Sequence, residues 1–260
     1  MALSLTGCAP EPGLDVMALA RNEASLYSAP ENLFGRPEVG WAVYAPKVAQ
    51  TAGATRSADT AAFARAAARW QGAHGLPATG EVDAATLTAM KGEWQSARPF
   101  VALRARGVCP DAPPAVALAT LRPEESDGGR PLLLRRGALE AYRRMVRFGR
   151  RTEPALKTRP DLLRVFSAYR SPARDAERCA EEHNCQGVVR AACSAHRTGL
   201  ALDLVLETAP GLAVDSSVDA NRLAMARSFA YRWLLADAGR FGFVNYGFEP
   251  WHWEWTGERP

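Results

Sequence analysis

Two histidines and one aspartate stand in the segments Ser194-Ala-His196-Arg-Thr-Gly199-Leu-Ala201-Leu-Asp203 and Glu249-Pro250-Trp251-His252. Neutral imidazoles and a carboxylate are donors that zinc accepts, and three protein ligands with a fourth position open is how catalytic zinc is held. His196, Asp203 and His252 form such a set. Zn2+ would lower the pKa of its water to about 7 and so supply hydroxide at working pH. Glu249 lies three residues before His252, close enough to serve that water as a base. A lone histidine is more often structural than a ligand. This chain has only 4 histidines, however, and two of them fall in these segments. The pattern is that of a zinc hydrolase with its metal site in the last quarter.

The spacing also says which elements must carry these groups. His196 and Asp203 could share one helical face, but Gly199 breaks that reading. His196 is therefore expected on a loop or strand edge, and Asp203 on a strand over Leu200–Leu206. His252 should come from a distant strand within Trp251–Trp255. Leu163–Arg170 reads as another strand, Ala173–Glu182 as a short helix, Val218–Arg240 as one long helix and Phe241–Val244 as a closing strand. Ala138–Arg150 is a strongly amphipathic helix, with Leu139, Tyr142, Met145 and Val146 on one face. Arg143, Arg144, Arg147, Arg150 and Arg151 line much of the rest. That is a solvated basic face or, alternatively, a contact for acidic wall polymers. The predicted class is α+β: a small antiparallel sheet with flanking helices holding the zinc site, preceded by a small all-α domain.

In the front half, Phe63, Ala67 and Trp70 keep helical spacing. Gly75 and Gly80 punctuate a turn, and Asp83 is placed to cap the next helix. This stretch resembles the small three-helix peptidoglycan-binding domain through Trp70-Gln71, Gly75-Leu76, Thr79-Gly80, Val82-Asp83 and Thr86. Only one half-motif is clear, and a plain helical hairpin is the alternative. The expected organisation is a leader or tether over 1–39, the helical module over 40–97, a proline-rich linker or long loop over 98–130, and the catalytic domain over 131–260.

The metal segments resemble zinc D-alanyl-D-alanine carboxypeptidases of the VanY type. The family pattern is Ser-x-His-x-x-Gly-x-Ala-x-Asp followed by Glu-x-Trp-His, met here by Ser194, His196, Gly199, Ala201 and Asp203 and by Glu249, Trp251 and His252. Ser167-Ala168-Tyr169-Arg170-Ser171 is similar to a third family segment. The resemblance implies zinc on His196, Asp203 and His252, and Glu249 as general base. It implies Arg170 on the scissile carbonyl or its oxyanion, with a structural ion pair as the alternative. Ser194 would bind substrate or cap a turn, while Tyr169 and Trp251 shape the pocket. The implied substrate is the D-Ala-D-Ala end of peptidoglycan stem peptides. An endopeptidase of the same fold is the first alternative. A non-catalytic wall-binding protein with a structural zinc is the second. Glu254 departs from the pattern, since a basic residue often follows the histidine. It is expected to pair with a cation or to support the ligands from behind. A cysteine-rich insert before Ser194 also lies outside the pattern.

At 47% hydrophobic and 23% charged, the composition is that of an ordinary soluble protein. A net charge of +4 is too small to argue for nucleic acid. Leu5-Thr6-Gly7-Cys8 resembles a bacterial lipobox, although the apolar run before it is too short for a signal peptide. Cys8 is therefore a candidate lipid anchor, which implies the periplasm or cell envelope. No apolar run is long enough for a transmembrane helix. Cys109, Cys179, Cys185 and Cys193 are then left for disulfides in an oxidising compartment, one of them bracing the loop before His196. Free thiols or a second metal site are the alternatives. Four cysteines allow three pairings.

Overall fold

The computed structural model describes residues 12–28, 30–55, 60–107, 109–181, 183, 185 and 193–258. Cys8 lies outside the described residues. The chain divides into two compact units, Met1–Met90 and Lys91–Pro260. The architecture is α+β, mixing helices with small antiparallel sheets.

The first unit holds α1 (Pro12–Ser25), a two-residue ribbon of β1 (Pro30–Glu31) and β2 (Glu38–Val39), α2 (Ala45–Thr51) and α3 (Ala61–Ala73). Helix α4 (Ala84–Ser96) begins in this unit. Trp41, Tyr44, Val48, Phe63, Ala67, Leu87 and Met90 form its core. Trp41 and Phe63 stack with centroids 6.1 Å apart. The motif residues have definite work. Gln71 is buried, donates to Glu81 O and Thr86 Oγ1, and accepts from Gly80 N, so the whole amide is satisfied. Asp83 Oδ1 accepts from Thr86 N at 2.8 Å and caps α4 as the sequence predicted. Gly80 has φ +75°, and a Cβ there would meet Ala64 O at 2.7 Å, so only glycine fits.

The segment expected to be a loose leader carries α1. Its anchor is polar, which is why apolar periodicity missed it. Buried Asn22 donates to Gly80 O and accepts from Val82 N.

The second unit contains α5 (Pro99–Arg104), β3 (Leu118–Thr120) paired with β4 (Leu133–Arg135), α6 (Arg136–Thr152) and α7 (Pro154–Thr158). Then follow β5 (Val165–Ser167), α8 (Pro172–Glu181), β6 (Ala201–Leu204), α9 (Asp219–Arg227), α10 (Phe229–Asp237), β7 (Phe243–Asn245) and β8 (His252–Trp255). Strands β5, β6, β8 and β7 form, in that order, an antiparallel sheet. Helix α6 buries Leu139, Tyr142, Met145 and Val146, the face its periodicity predicted.

Three expectations change. Residues 98–130, expected as a linker or long loop, carry α5, β3 and three-residue 3-10 turns. The long helix over Val218–Arg240 is broken at Ser228, whose hydroxyl accepts from Tyr231 N and caps α10. The strand at Leu163–Arg170 shortens to Val165–Ser167, since Leu163 has φ 64° and cannot continue an extended strand.

Cys109 pairs with Cys193, and Cys179 with Cys185. The first bond closes a separation of 84 residues. Its removal in a Cys109→Ser, Cys193→Ser variant is expected to cost about 2–5 kcal/mol. Thermal melts should show this loss, and the wild-type midpoint should fall similarly under reductant.

Arg143 grips Glu125 through Nε at 2.7 Å and Nη2 at 2.8 Å. Burial pushes the Glu125 carboxyl up, but the Arg143 hydrogen bonds and charge outweigh it, so its pKa is lowered. A lowered folded-state pKa stabilises the fold above the unfolded carboxylate value near pH ~4.3 and ceases to do so as pH falls. Glu125→Gln is therefore expected to be less stable than wild type at pH 7, by roughly 1 kcal/mol. The two should converge in urea melts as pH falls through the lowered folded-state pKa of Glu125.

Candidate metal centre

The sheet brings the three ligand-type residues together. His196 lies in a 3-10 turn, Ala195–Thr198, that ends at Gly199 with φ 69°. Asp203 lies on β6 and His252 opens β8, directly opposite each other in the antiparallel register. Directly opposed residues put their side chains close together. Asp203 Oδ2 is 3.2 Å from His196 Nε2, and Asp203 Oδ1 is 2.8 Å from His252 Nδ1. One ligand atom from each residue lies within 4.8 Å of the others. All three side chains are buried.

The tautomers fit a cation. His196 Nδ1 donates to Ala168 O at 2.8 Å, which leaves the Nε2 lone pair facing Asp203. His252 turns Nδ1 toward Asp203, while its Nε2 is buried without a hydrogen bond, 3.4 Å from Glu254 Oε1. Two nitrogens and one carboxylate oxygen around one point suit Zn2+.

The electrostatics point the same way. Burial first, then the nearby Arg170 charge, pushes His196 down to about 4, so its imidazole is neutral at pH 7. Burial also opposes charge on His252, but its hydrogen bond to Asp203 and the Glu254 carboxylate beside it overcome this and raise His252 to about 9. Asp203 stays ionised, since attraction to His196 and His252 outweighs its desolvation. A metal bound at His252 would displace its proton.

Glu249 precedes β8 in a tight loop closed by Tyr246 N to His252 O and His252 N to Glu249 O, each 3.0 Å. Its Oε2 lies 3.9 Å from His252 Nδ1. Burial raises its pKa, which favours a carboxylate that accepts a proton and gives it back. Asn245, on β7, holds this loop through its carboxamide, donating to Glu249 O at 3.2 Å and His252 O at 3.0 Å. Tyr231 donates to the other end of Asn245 at 3.0 Å.

Arg170, Ser194, Tyr169 and Trp251 line the same cleft of about 530 Å³ as the three ligand-type residues and Glu249. Arg170 donates to Asp175 Oδ1 at 3.1 Å and to Ser167 Oγ at 3.2 Å. Ser194 makes no cap hydrogen bond for its turn, and its hydroxyl is directed to Asp175 instead. Trp251 is buried.

Sequence reasoning missed two residues. Arg98 donates from Nε to Glu254 Oε1 at 2.7 Å, and its guanidinium stacks 4.0 Å from the Tyr246 ring centroid. The only signal for it was an arginine before a proline. Glu254 has the cation partner anticipated for it. Burial raises its pKa, but Arg98 and His252 overcome this and hold it at about 2. Asp175 is the second omission, and it stands one helical turn after Ser171.

Residues 53–90 match a domain family described as a putative peptidoglycan binding domain. A solved structure of the LdcB LD-carboxypeptidase, described as revealing the molecular basis of peptidoglycan recognition, is similar at 22% identity and a TM-score of 0.40. That similarity covers 55% of this chain and 69% of the other. No curated protein matches the chain. Among the described residues, no helix is long and apolar enough to cross a membrane.

Proposed function

We propose that this chain is a zinc peptidase of the cell envelope that removes the terminal D-Ala from peptidoglycan stem peptides. The observation that carries the reading is the convergence of two imidazoles and one carboxylate beside a second, partly buried carboxylate, Glu249. The match over residues 53–90 supports peptidoglycan as the partner. In this reading the helical module over 40–97 holds the enzyme on the wall, and residues 131–260 carry the chemistry.

His196, Asp203 and His252 would hold Zn2+, which supplies a Lewis acid to the bond being cut. Glu249 takes a proton from the attacking water as the water oxygen bonds to the scissile carbonyl carbon. It then delivers that proton to the amine nitrogen as the carbon–nitrogen bond breaks. Arg170 stabilises the charge that develops on the carbonyl oxygen. Asp175 and Ser167 occupy its Nε and Nη1, and its Nη2 has no hydrogen bond within the described residues. Tyr169 and Trp251 shape the cleft wall, and Ser194 offers its oxygen as an acceptor.

The test is digestion of a muramyl pentapeptide ending in D-Ala-D-Ala, read by mass. Release of one alanine, blocked by chelator, is the expected result. Cleavage only inside the stem or in crosslinked dimers would reassign the enzyme as an endopeptidase.

A further inference from the structure

Asp175 is a buried carboxylate, 2% exposed, whose oxygens serve three side chains at once. Oδ1 accepts from Arg170 Nε at 3.1 Å. Oδ2 accepts from Arg197 Nε at 2.8 Å. Both oxygens lie within 2.9 Å of Ser194 Oγ, and Ser194 N approaches Oδ2 at 3.3 Å. Helix α8 carries this carboxylate. Its start is fixed by Ser171 Oγ, which accepts from Arg174 N.

We propose that Asp175 is the positioning residue of the cleft, setting the direction of the Arg170 guanidinium and the rotamer of Ser194. The inference rests on the reading that Arg170 meets the substrate carbonyl. The geometry favours a positioning role over simple helix attachment. Two of the three side chains held by Asp175 line the substrate cleft. The third, Arg197, is anchored on the side of the disulfide, donating to Cys109 Sγ at 3.2 Å and to Pro172 O at 3.4 Å. Arg197 takes Oδ2 of the carboxylate, which leaves Oδ1 to Arg170. Ser167 Oγ accepts from Arg170 Nη1, so a second donor of the guanidinium is held. The Cys109–Cys193 bond fixes the residue just before Ser194. A fork held at Nε and Nη1 presents Nη2 in one orientation, and misplacement of about 1 Å at such a group costs about 100-fold in rate.

The experiment combines Asp175→Asn, Asp175→Glu and Arg170→Lys with the double variant Asp175→Asn, Arg170→Lys. Asp175→Asn is expected to lower kcat about 10–100-fold with KM within about twofold, and Asp175→Glu to fall between it and wild type. The double variant should lose no more than the worse single change, since both act through one guanidinium. The Arg170 Nε–Hε resonance in 15N NMR should shift and exchange faster with water in Asp175→Asn. Wild-type kcat with an unmoved resonance would overturn the proposal, as would fully additive losses. If neither wild type nor variants cut any stem peptide, the functional reading fails. The resonance then decides the clamp alone: a shift supports it and none refutes it.

Discussion

Replacing Glu249 by glutamine is expected to lower kcat by about 10²–10⁴-fold while one zinc still binds per chain. Glutamine keeps the size of the side chain and the polar contacts of the loop, but it cannot take a proton. Glu249 stands outside the group of three, with its nearest oxygen 3.9 Å from His252 Nδ1. The loop that carries it is held by Asn245 and by backbone hydrogen bonds, none of which uses the Glu249 carboxylate. Fold and metal affinity should therefore survive. Single-turnover rates and a zinc titration of the same sample separate the effects. A wild-type rate would place the base elsewhere, and a lost metal would make Glu249 a ligand.

The second large effect is expected at Arg98. Its guanidinium lies 2.6 Å from Glu254 Oε1, with side-chain exposures of 7% and 2%. Removing one partner of a buried ion pair strands the other charge, at a typical cost of about 3–5 kcal/mol. Arg98→Ala should lose that much stability. Its remaining carboxylate faces His252 Nε2, so zinc affinity should change as well. Phe100 N also donates to Glu254, but one amide at 3.0 Å does not replace a full charge. The double variant Arg98→Met, Glu254→Gln removes both charges and should regain most of the stability. Urea melts of the three proteins test this. Equal losses in the single and double variants would mean that Arg98 acts by packing on Tyr246 rather than by charge.

The parts legible in the sequence share a property: they depend on residue type at fixed short spacing. Gly199 stopped the helix, and the alternation after it marked the strand that carries Asp203. The Trp-His-Trp run marked β8, although the register that sets Asp203 opposite His252 emerges only in three dimensions. Asp83 was readable as a cap because the capping contact spans three residues.

What was hidden is long-range or polar. Arg98 and Glu254 are 156 residues apart, and no local pattern links them. Asp175 reaches Arg197 across 22 residues. The disulfide pairing was one of three, and only the approach of Cys109 to Cys193 selects it. Helix α1 is held by the Asn22 amide rather than by a regular apolar stripe. The break between α9 and α10 escaped notice because apolar periodicity runs through Ser228 on both sides.

The measurement closest to the central claim is reconstitution with zinc. The purified protein is stripped with chelator, then titrated with Zn2+ while stem-peptide hydrolysis and bound metal are recorded together. The stripped protein should be inactive, and activity should return linearly up to one zinc per chain. His196→Ala and His252→Ala should show no recovery. Full activity in the metal-free protein, or normal zinc binding without those two imidazoles, would contradict the claim.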